Sequence, residues 1–250
     1  MPKPSKSLAR QKRREKRALA AEKRQILDQF QRDQAPFAPR KARVEPVRPL
    51  TAAQRAYDAA IHTADVVFGI GPAGTGKTWF AAMRAAEALD MKEIKKIIVT
   101  RPAVEAGESL GYLPGELEEK YEPYFRPVRD AFEEYFGRGY AEYLIKEGKI
   151  EARPLALLRG ATIKDAWLIA DEMQNATEGQ FKMLLSRIGE NAKFILNGDP
   201  KQSDLPAGKS GLITVQKKLE HIDGIQTVRF GRGDIVRSGI CQAIVEAFEG

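Results

Sequence analysis

The run Gly71-Pro72-Ala73-Gly74-Thr75-Gly76-Lys77-Thr78 fits the pattern G-x-x-x-x-G-K-[ST] at every fixed position. The pattern has a physical content. Glycines lack a Cβ, so successive backbone N–H groups can turn inward around anionic oxygens. A helix beginning at the lysine aims the positive end of its dipole at the same point. Lys77 then adds a point charge to the β- and γ-phosphates of a nucleotide, and Thr78 offers a hydroxyl to Mg²⁺. A second group of residues is Asp171-Glu172, which closes the apolar run Ala166–Ala170. Asp171 is a candidate holder of Mg²⁺. Glu172 is a candidate base that polarises a water for in-line attack on the γ-phosphorus. The bland alternative is an acidic helix start. A third group is Asn197-Gly198-Asp199-Pro200-Lys201-Gln202. The Gln202 amide can donate to a γ-phosphate oxygen and accept from a water, which suits a sensor of hydrolysis; Gly-Asp-Pro would also make a plain turn on its own. A transition state that spreads charge over phosphoryl oxygens calls for an arginine. Arg101, Arg229, Arg232 and Arg237 are candidates, and spacing alone does not choose among them.

These groups can meet only if the elements that carry them share an edge. Val66–Ile70 (VVFGI) reads as a buried strand running into the glycine loop, and Lys77–Leu89 as an alanine-rich helix. Ile97–Thr100, Ala166–Ala170, Lys193–Leu196 and Gly224–Phe230 read as further strands. Ala52–His62, capped by Thr51, reads as a helix before them. Glu178–Ile188 has Phe181, Leu184, Leu185 and Ile188 at helical spacing, Ser210–Leu219 is a further helix, and Ile235–Phe248 a closing one. Residues 101–148 mix glycine, proline, acids and aromatics and read as short helices and loops, with Ile150–Leu158 as a strand. Strands alternating with helices predict an α/β fold, a mainly parallel sheet sandwiched by helices, with strand C-termini along one edge.

The chain has 250 residues, 43% hydrophobic and 30% charged, the composition of a globular protein long enough to bury a core. One cysteine, Cys241, excludes a disulfide framework within the chain, and with only two histidines the set is poor for a four-ligand zinc site. No apolar run reaches the ~18 residues of a membrane span and the start lacks a signal-peptide stretch, so the expected location is the reducing cytoplasm. The formal charge of +7 is unevenly placed: residues 1–48 hold 15 Lys/Arg against 5 Asp/Glu, and the rest of the chain 26 against 29. The run RQKRREKR at 10–17 precedes Pro36, Pro39, Pro46 and Pro49. Residues 1–49 therefore read as a basic extension and Pro-rich linker, disordered or partly helical, and 50–250 as the folded domain. A basic block attracts polyanions, so a nucleic-acid-binding arm stands beside a solubilising tail as its reading.

Several ordered stretches together resemble the PhoH-like family of P-loop ATPases, whose core is related to superfamily 1 helicases. They are GPAGTGKT at 71–78, VTRPAVEAGESLGYLPG at 99–115, PYFRPVRDA at 123–131, RG at 159–160, DEMQNAT at 171–177, GDPKQSDLP at 198–206, SGL at 210–212 and GDIVRS at 233–238. The resemblance spans about Leu50 to Phe248. It implies an ATP-binding, RecA-like P-loop NTPase core, often assembled into rings, commonly hexamers. It implies roles for Lys77, Thr78, Asp171, Glu172 and Gln202 like those argued above, with ATP and Mg²⁺ as cofactors. Arg237 matches the arginine of the family's terminal D-[IV]-V-R and by that match becomes the finger reaching a neighbouring subunit. Gln54 resembles the glutamine that reads adenine in helicase-like proteins. The chain departs from the family at Met173, where DEAQN is usual, and at Ser238, where histidine is frequent. No PIN-type nuclease domain and no second RecA-like domain is expected, so subunit interfaces would complete any site that moves along a strand.

The expected function is a Mg²⁺-dependent ATPase acting on or stimulated by nucleic acid, RNA before ssDNA, as a homo-oligomeric ring. The alternatives are a nucleotide-gated interaction protein with slow hydrolysis and a small-molecule kinase using Arg126, Arg153 or Arg159 to hold an acceptor. The stretch 101–131 mixes arginine with aromatics and suits either a polymer or neighbour contact or a packed cap over the sheet edge.

Overall fold

Among the described residues, apolar and β-branched runs form six strands: β1 (Val66–Ile70), β2 (Lys96–Thr100), β3 (Ile150–Ala152), β4 (Ala166–Ala170), β5 (Ala192–Gly198) and β6 (Ile225–Arg229). The structure, a computed structural model, describes residues 47–102 and 117–236, all within one compact unit, Arg40–Gly250. The basic extension as far as residue 46, the segment 103–116, and Arg237, Ser238 and the rest of the expected closing helix lie outside the described residues. The first two residues of that expected helix, Ile235 and Val236, are described and are not helical.

All five strand pairings are parallel, in the order β3-β2-β4-β5-β1-β6. The strand that leads into the glycine loop, β1, is thus separated from the strand that ends in Asp171, β4, by β5, which ends at Gly198. Register keeps the tips level: Ile70 lies opposite Gly198, and Ala170 opposite Leu196. Strand alternation sorts the core into two layers. Val67, Ile97, Val99, Ile169 and Ile195 face one cluster, built with α1 (Ala52–Thr63), α2 (Lys77–Asp90), α3 (Leu117–Phe136) and α4 (Arg138–Lys146). Phe68, Ile98, Leu168, Phe194 and Leu196 face the other, with α5 (Glu178–Leu185) and α6 (Leu212–Leu219). Helices on both faces make this the α/β sandwich expected from the alternation of elements.

Helix starts follow local chemistry. Thr51 accepts the Gln54 N–H at 3.1 Å to cap α1. Thr177 and Gln180 form a reciprocal capping box on α5. Three elements differ from the sequence reading. The segment expected to be short helices and loops contains the 20-residue α3, which continues past Pro127. Its hold is apolar burial at helical spacing: Phe125, Val128, Phe132 and Phe136 are all buried in the first cluster, which offsets the hydrogen bond a proline cannot donate. The expected strand Ile150–Leu158 is a three-residue strand followed by a 3₁₀ turn at Leu155–Leu158, because Pro154 ends pairing and turns Leu155 and Leu158 into the second cluster. Finally, α5 stops at Leu185, three residues early, and Ile188 instead bridges to Ile163. No helix among the described residues is long and apolar enough to cross a membrane.

Candidate nucleotide-binding site

β1 delivers Gly71 to the sheet edge, where its N–H donates to the Gly198 carbonyl at 3.1 Å. A Cβ on Gly71 would lie 2.3 Å from the Phe230 carbonyl oxygen, so the loop leaves the sheet through a gap only glycine fits. Gly76 is the N-cap of α2 at φ 81°, a left-handed conformation, and no side chain caps the helix there. The first-turn N–H groups of a 14-residue helix therefore face the loop, as an anion site requires.

Lys77 is buried and its Nζ donates to the carbonyls of Gly71 and Pro72, each at 2.7 Å, and to Thr75 Oγ1 at 3.2 Å. Burial lowers the Lys77 pKa below its ordinary value, against the opposing pull of Asp199, Asp171 and Glu172. At the tip of β4, Asp171 accepts the Thr78 hydroxyl at 2.8 Å and the Arg101 guanidinium at 3.3 Å. Its burial pushes the carboxyl above the usual range, with Arg101 opposing. Two oxygen donors, Thr78 Oγ1 and Asp171, thus meet beside the loop, a set that suits a hard cation such as Mg²⁺ sharing its remaining positions with phosphate and water.

Glu172 adopts φ 55°, the left-handed region, uncommon for a residue with a side chain and a recurrent feature of functional sites. Its carboxylate shares Arg101 with Asp171 and adds a partner of its own. Oε1 accepts Arg101 at 2.9 Å and Oε2 accepts the Gln174 amide at 2.6 Å. Gln202 follows Asp199, whose side chain accepts the Lys201 N–H at 3.1 Å and so folds the turn after β5. Lys77, Thr78, Arg101, Asp171, Glu172 and Gln202 all line one open cavity of about 450 Å³.

The remaining expected residues are placed differently. Gly74 and Gly76 line the cavity with exposed Ala73, while Gly71, Pro72 and Thr75 form the loop behind them. Gln54 is buried outside that lining. Its amide donates to the Thr75 carbonyl at 3.1 Å and its Oε1 accepts the Leu50 N–H at 2.7 Å, so it braces the loop from behind. Arg229 donates to Gln216 at 2.8 Å, and neither it nor Arg232 lines the cavity. Arg237 is outside the described residues. Among the arginines considered for a kinase acceptor, Arg153 pairs with Glu151 at 2.6 Å, and none of Arg126, Arg153 and Arg159 lines the cavity.

Gln174 was missed as a functional residue. It is buried, holds Glu172, accepts the Asp199 N–H at 3.0 Å and reaches the Gln202 carbonyl at 3.4 Å. Asn175 grips Asp204 through two hydrogen bonds, at 3.0 and 2.8 Å. The signal was present in DEMQN, but the distant partners of the two amides, Asp199, Gln202 and Asp204, lie in the segment that follows β5.

The PhoH-like protein family matches residues 46–249. The chain belongs to the PhoH-like family. A PhoH-like protein of Bacillus subtilis (strain 168) is 46% identical over 233 residues, which is 93% of this chain and 73% of the relative. Protein PhoH of Escherichia coli (strain K12) is 45% identical over 206 residues, 81% of this chain and 58% of that protein, so part of that protein's length has no counterpart here. The UvsW helicase from Bacteriophage T4 aligns with a TM-score of 0.44 at 13% identity, over 79% of this chain and 66% of the helicase. At that TM-score the likeness adds nothing to the fold read from the sheet itself. The PhoH-like assignment and the parallel α/β core with its glycine loop make this a P-loop nucleotide-binding fold.

Proposed function

We propose that this PhoH-like chain is a Mg²⁺-dependent ATPase of RecA-like type that acts on, or is stimulated by, nucleic acid. The observation that carries the proposal is the convergence of an ammonium, two carboxylates and an amide, from three neighbouring strand tips, on one cavity beside the glycine loop. A triphosphate drawn into the loop replaces the Gly71 and Pro72 carbonyls as partner of Lys77. Thr78 and Asp171 would hold Mg²⁺, whose chemistry there is to neutralise charge on the β- and γ-oxygens. Glu172 takes the proton of the attacking water, and Gln202 responds to the γ-phosphate. Gln54 acts by holding the loop. Charge supports a polyanionic partner, because the basic excess sits in residues 1–48, and among polyanions we propose RNA before ssDNA. The family resemblance supports a ring, hexameric by preference, in which Arg237 of one subunit reaches the site of the next. The cytoplasm is the location that suits such a partner.

One observation favours a second reading, a nucleotide-gated interaction protein with slow hydrolysis. Both Glu172 oxygens are engaged, by Arg101 and Gln174, so the carboxylate is held by protein partners rather than turned to a water. Turnover then waits on a partner that draws Arg101 away. Phosphate release is to be measured with and without RNA and ssDNA, on the full chain and on a chain beginning at Pro49, with mass measured in solution. Release that rises with RNA supports the first reading. Tight ATP binding with barely measurable release and a changed partner affinity supports the second. A chain that neither binds nor hydrolyses ATP overturns both.

A further inference from the structure

The cavity holds one large aromatic side chain that phosphate chemistry does not use. Trp79 follows Thr78 in the first turn of α2 and lines the cavity together with the loop residues and Pro127 of α3. The indole is half-buried, and its Nε1–H donates to Glu134 Oε2 at 2.8 Å. Glu134 lies seven residues after Pro127, so both sit on the face of α3 that meets α2. Phe80 stands tilted against the indole, with ring centroids 6.3 Å apart and an interplanar angle of 62°. The ring is thus fixed at its polar edge and backed at its base, with part of its surface left to the cavity. A nucleotide with its phosphates in the loop would have its sugar and base within reach of the walls that Trp79 and Pro127 give the same cavity. Gln54, the other residue considered for the base, lies behind the loop with both ends of its amide engaged by the protein.

We propose that the Trp79 indole is the stacking platform for the purine base of the bound nucleotide, opposite the apolar wall of Pro127, and that Glu134 sets the ring's orientation. The inference rests on the nucleotide site proposed above and adds to it a subsite for the base. Stacking reads the π-face that every base has, and a bare polyphosphate has none. Trp79 therefore contributes to the affinity of nucleotides and contributes nothing to that of tripolyphosphate. Glu134 is a positioning residue.

The chain has two tryptophans, and Trp167 belongs to β4, so Trp167→Phe leaves Trp79 as sole reporter. In that variant, ADP with Mg²⁺ is expected to quench the indole emission, while tripolyphosphate competes with ADP for the site without quenching. By equilibrium dialysis, Trp79→Ala raises the Kd for ADP on the order of 10-fold and leaves the Kd for tripolyphosphate unchanged. Trp79→Phe keeps the packing and gives a smaller rise, which guards against a folding defect. Glu134→Ala weakens the ADP-induced quench. Unchanged ADP affinity in Trp79→Phe and Trp79→Ala, or equal quenching by tripolyphosphate, overturns the base subsite and leaves the phosphate loop standing. Failure of both ADP and tripolyphosphate to bind the parent protein overturns the nucleotide site itself and the subsite with it.

Discussion

Gln174 joins the acids of β4 to the turn that follows β5, through its bonds to Glu172, Asp199 and Gln202. Replacing it with leucine leaves the Asp199 N–H without its acceptor and leaves the Glu172 carboxylate held by Arg101 alone. We predict for Gln174→Leu a loss of stability of about 1–3 kcal/mol, seen in urea unfolding. Turnover should fall at least 10-fold with nucleotide affinity kept, because the loop is untouched. Asp171 makes a prediction about pH. Burial raises its pKa in the folded chain, so the fold favours the protonated form. A carboxyl raised in this way opposes folding at neutral pH, and the opposition disappears as the pH falls below its unfolded value. In metal-free buffer Asp171→Asn should therefore melt above the parent at pH 7, and the gap should close on acidification. A gap that widens on acidification would contradict this. At this scale the glycine loop, Lys77, Thr78 and the acid pair were legible, since a local pattern and an apolar run mark them. Gln174 was not, because its partners Asp199 and Gln202 follow a strand whose slot beside β4 no local pattern reveals.

The elements place these groups through the strand order, in which β5 sits between β1 and β4. That slot brings Gly198 beside the loop and the Asp199–Gln202 turn beside Glu172. The exit of β1 is the tightest point: Gly71 at φ 152° passes the Phe230 backbone. Gly71→Ala sets a Cβ 2.3 Å from that carbonyl oxygen, so β6 and the loop must part. We expect a cost of roughly 2 kcal/mol or more together with weakened nucleotide binding, read from thermal melts and dialysis. Strands β1, β4 and β5 were legible as elements, from apolar runs that end in glycine or acid. Helix α3 was not. Pro127 and the surrounding glycines and acids read locally as breaks, whereas Phe125, Val128, Phe132 and Phe136 gain more by burial against the sheet-side cluster. Tertiary packing overrode local propensity there, and the shortened α5 has the same cause, with Ile188 drawn into a bridge with Ile163.

At the scale of the molecule, charge is uneven along the sequence: residues 1–48 hold 15 basic against 5 acidic residues, and the rest of the chain 26 against 29. If that excess engages a polyanion, binding of RNA should weaken steeply between low and moderate salt, and the chain beginning at Pro49 should lose most of the affinity and of the salt slope. Equal slopes for both chains would remove the extension from the interface. The central claim, that one edge of a parallel sheet assembles a hydrolytic site around a bound triphosphate, is tested most directly by single-turnover phosphate release from Mg²⁺-ATP, comparing the parent with Glu172→Gln while bound nucleotide is measured on the same samples. The account predicts that Glu172→Gln binds ATP as the parent does and releases phosphate roughly 10²- to 10⁴-fold more slowly. Equal release from the two proteins at equal occupancy would contradict it.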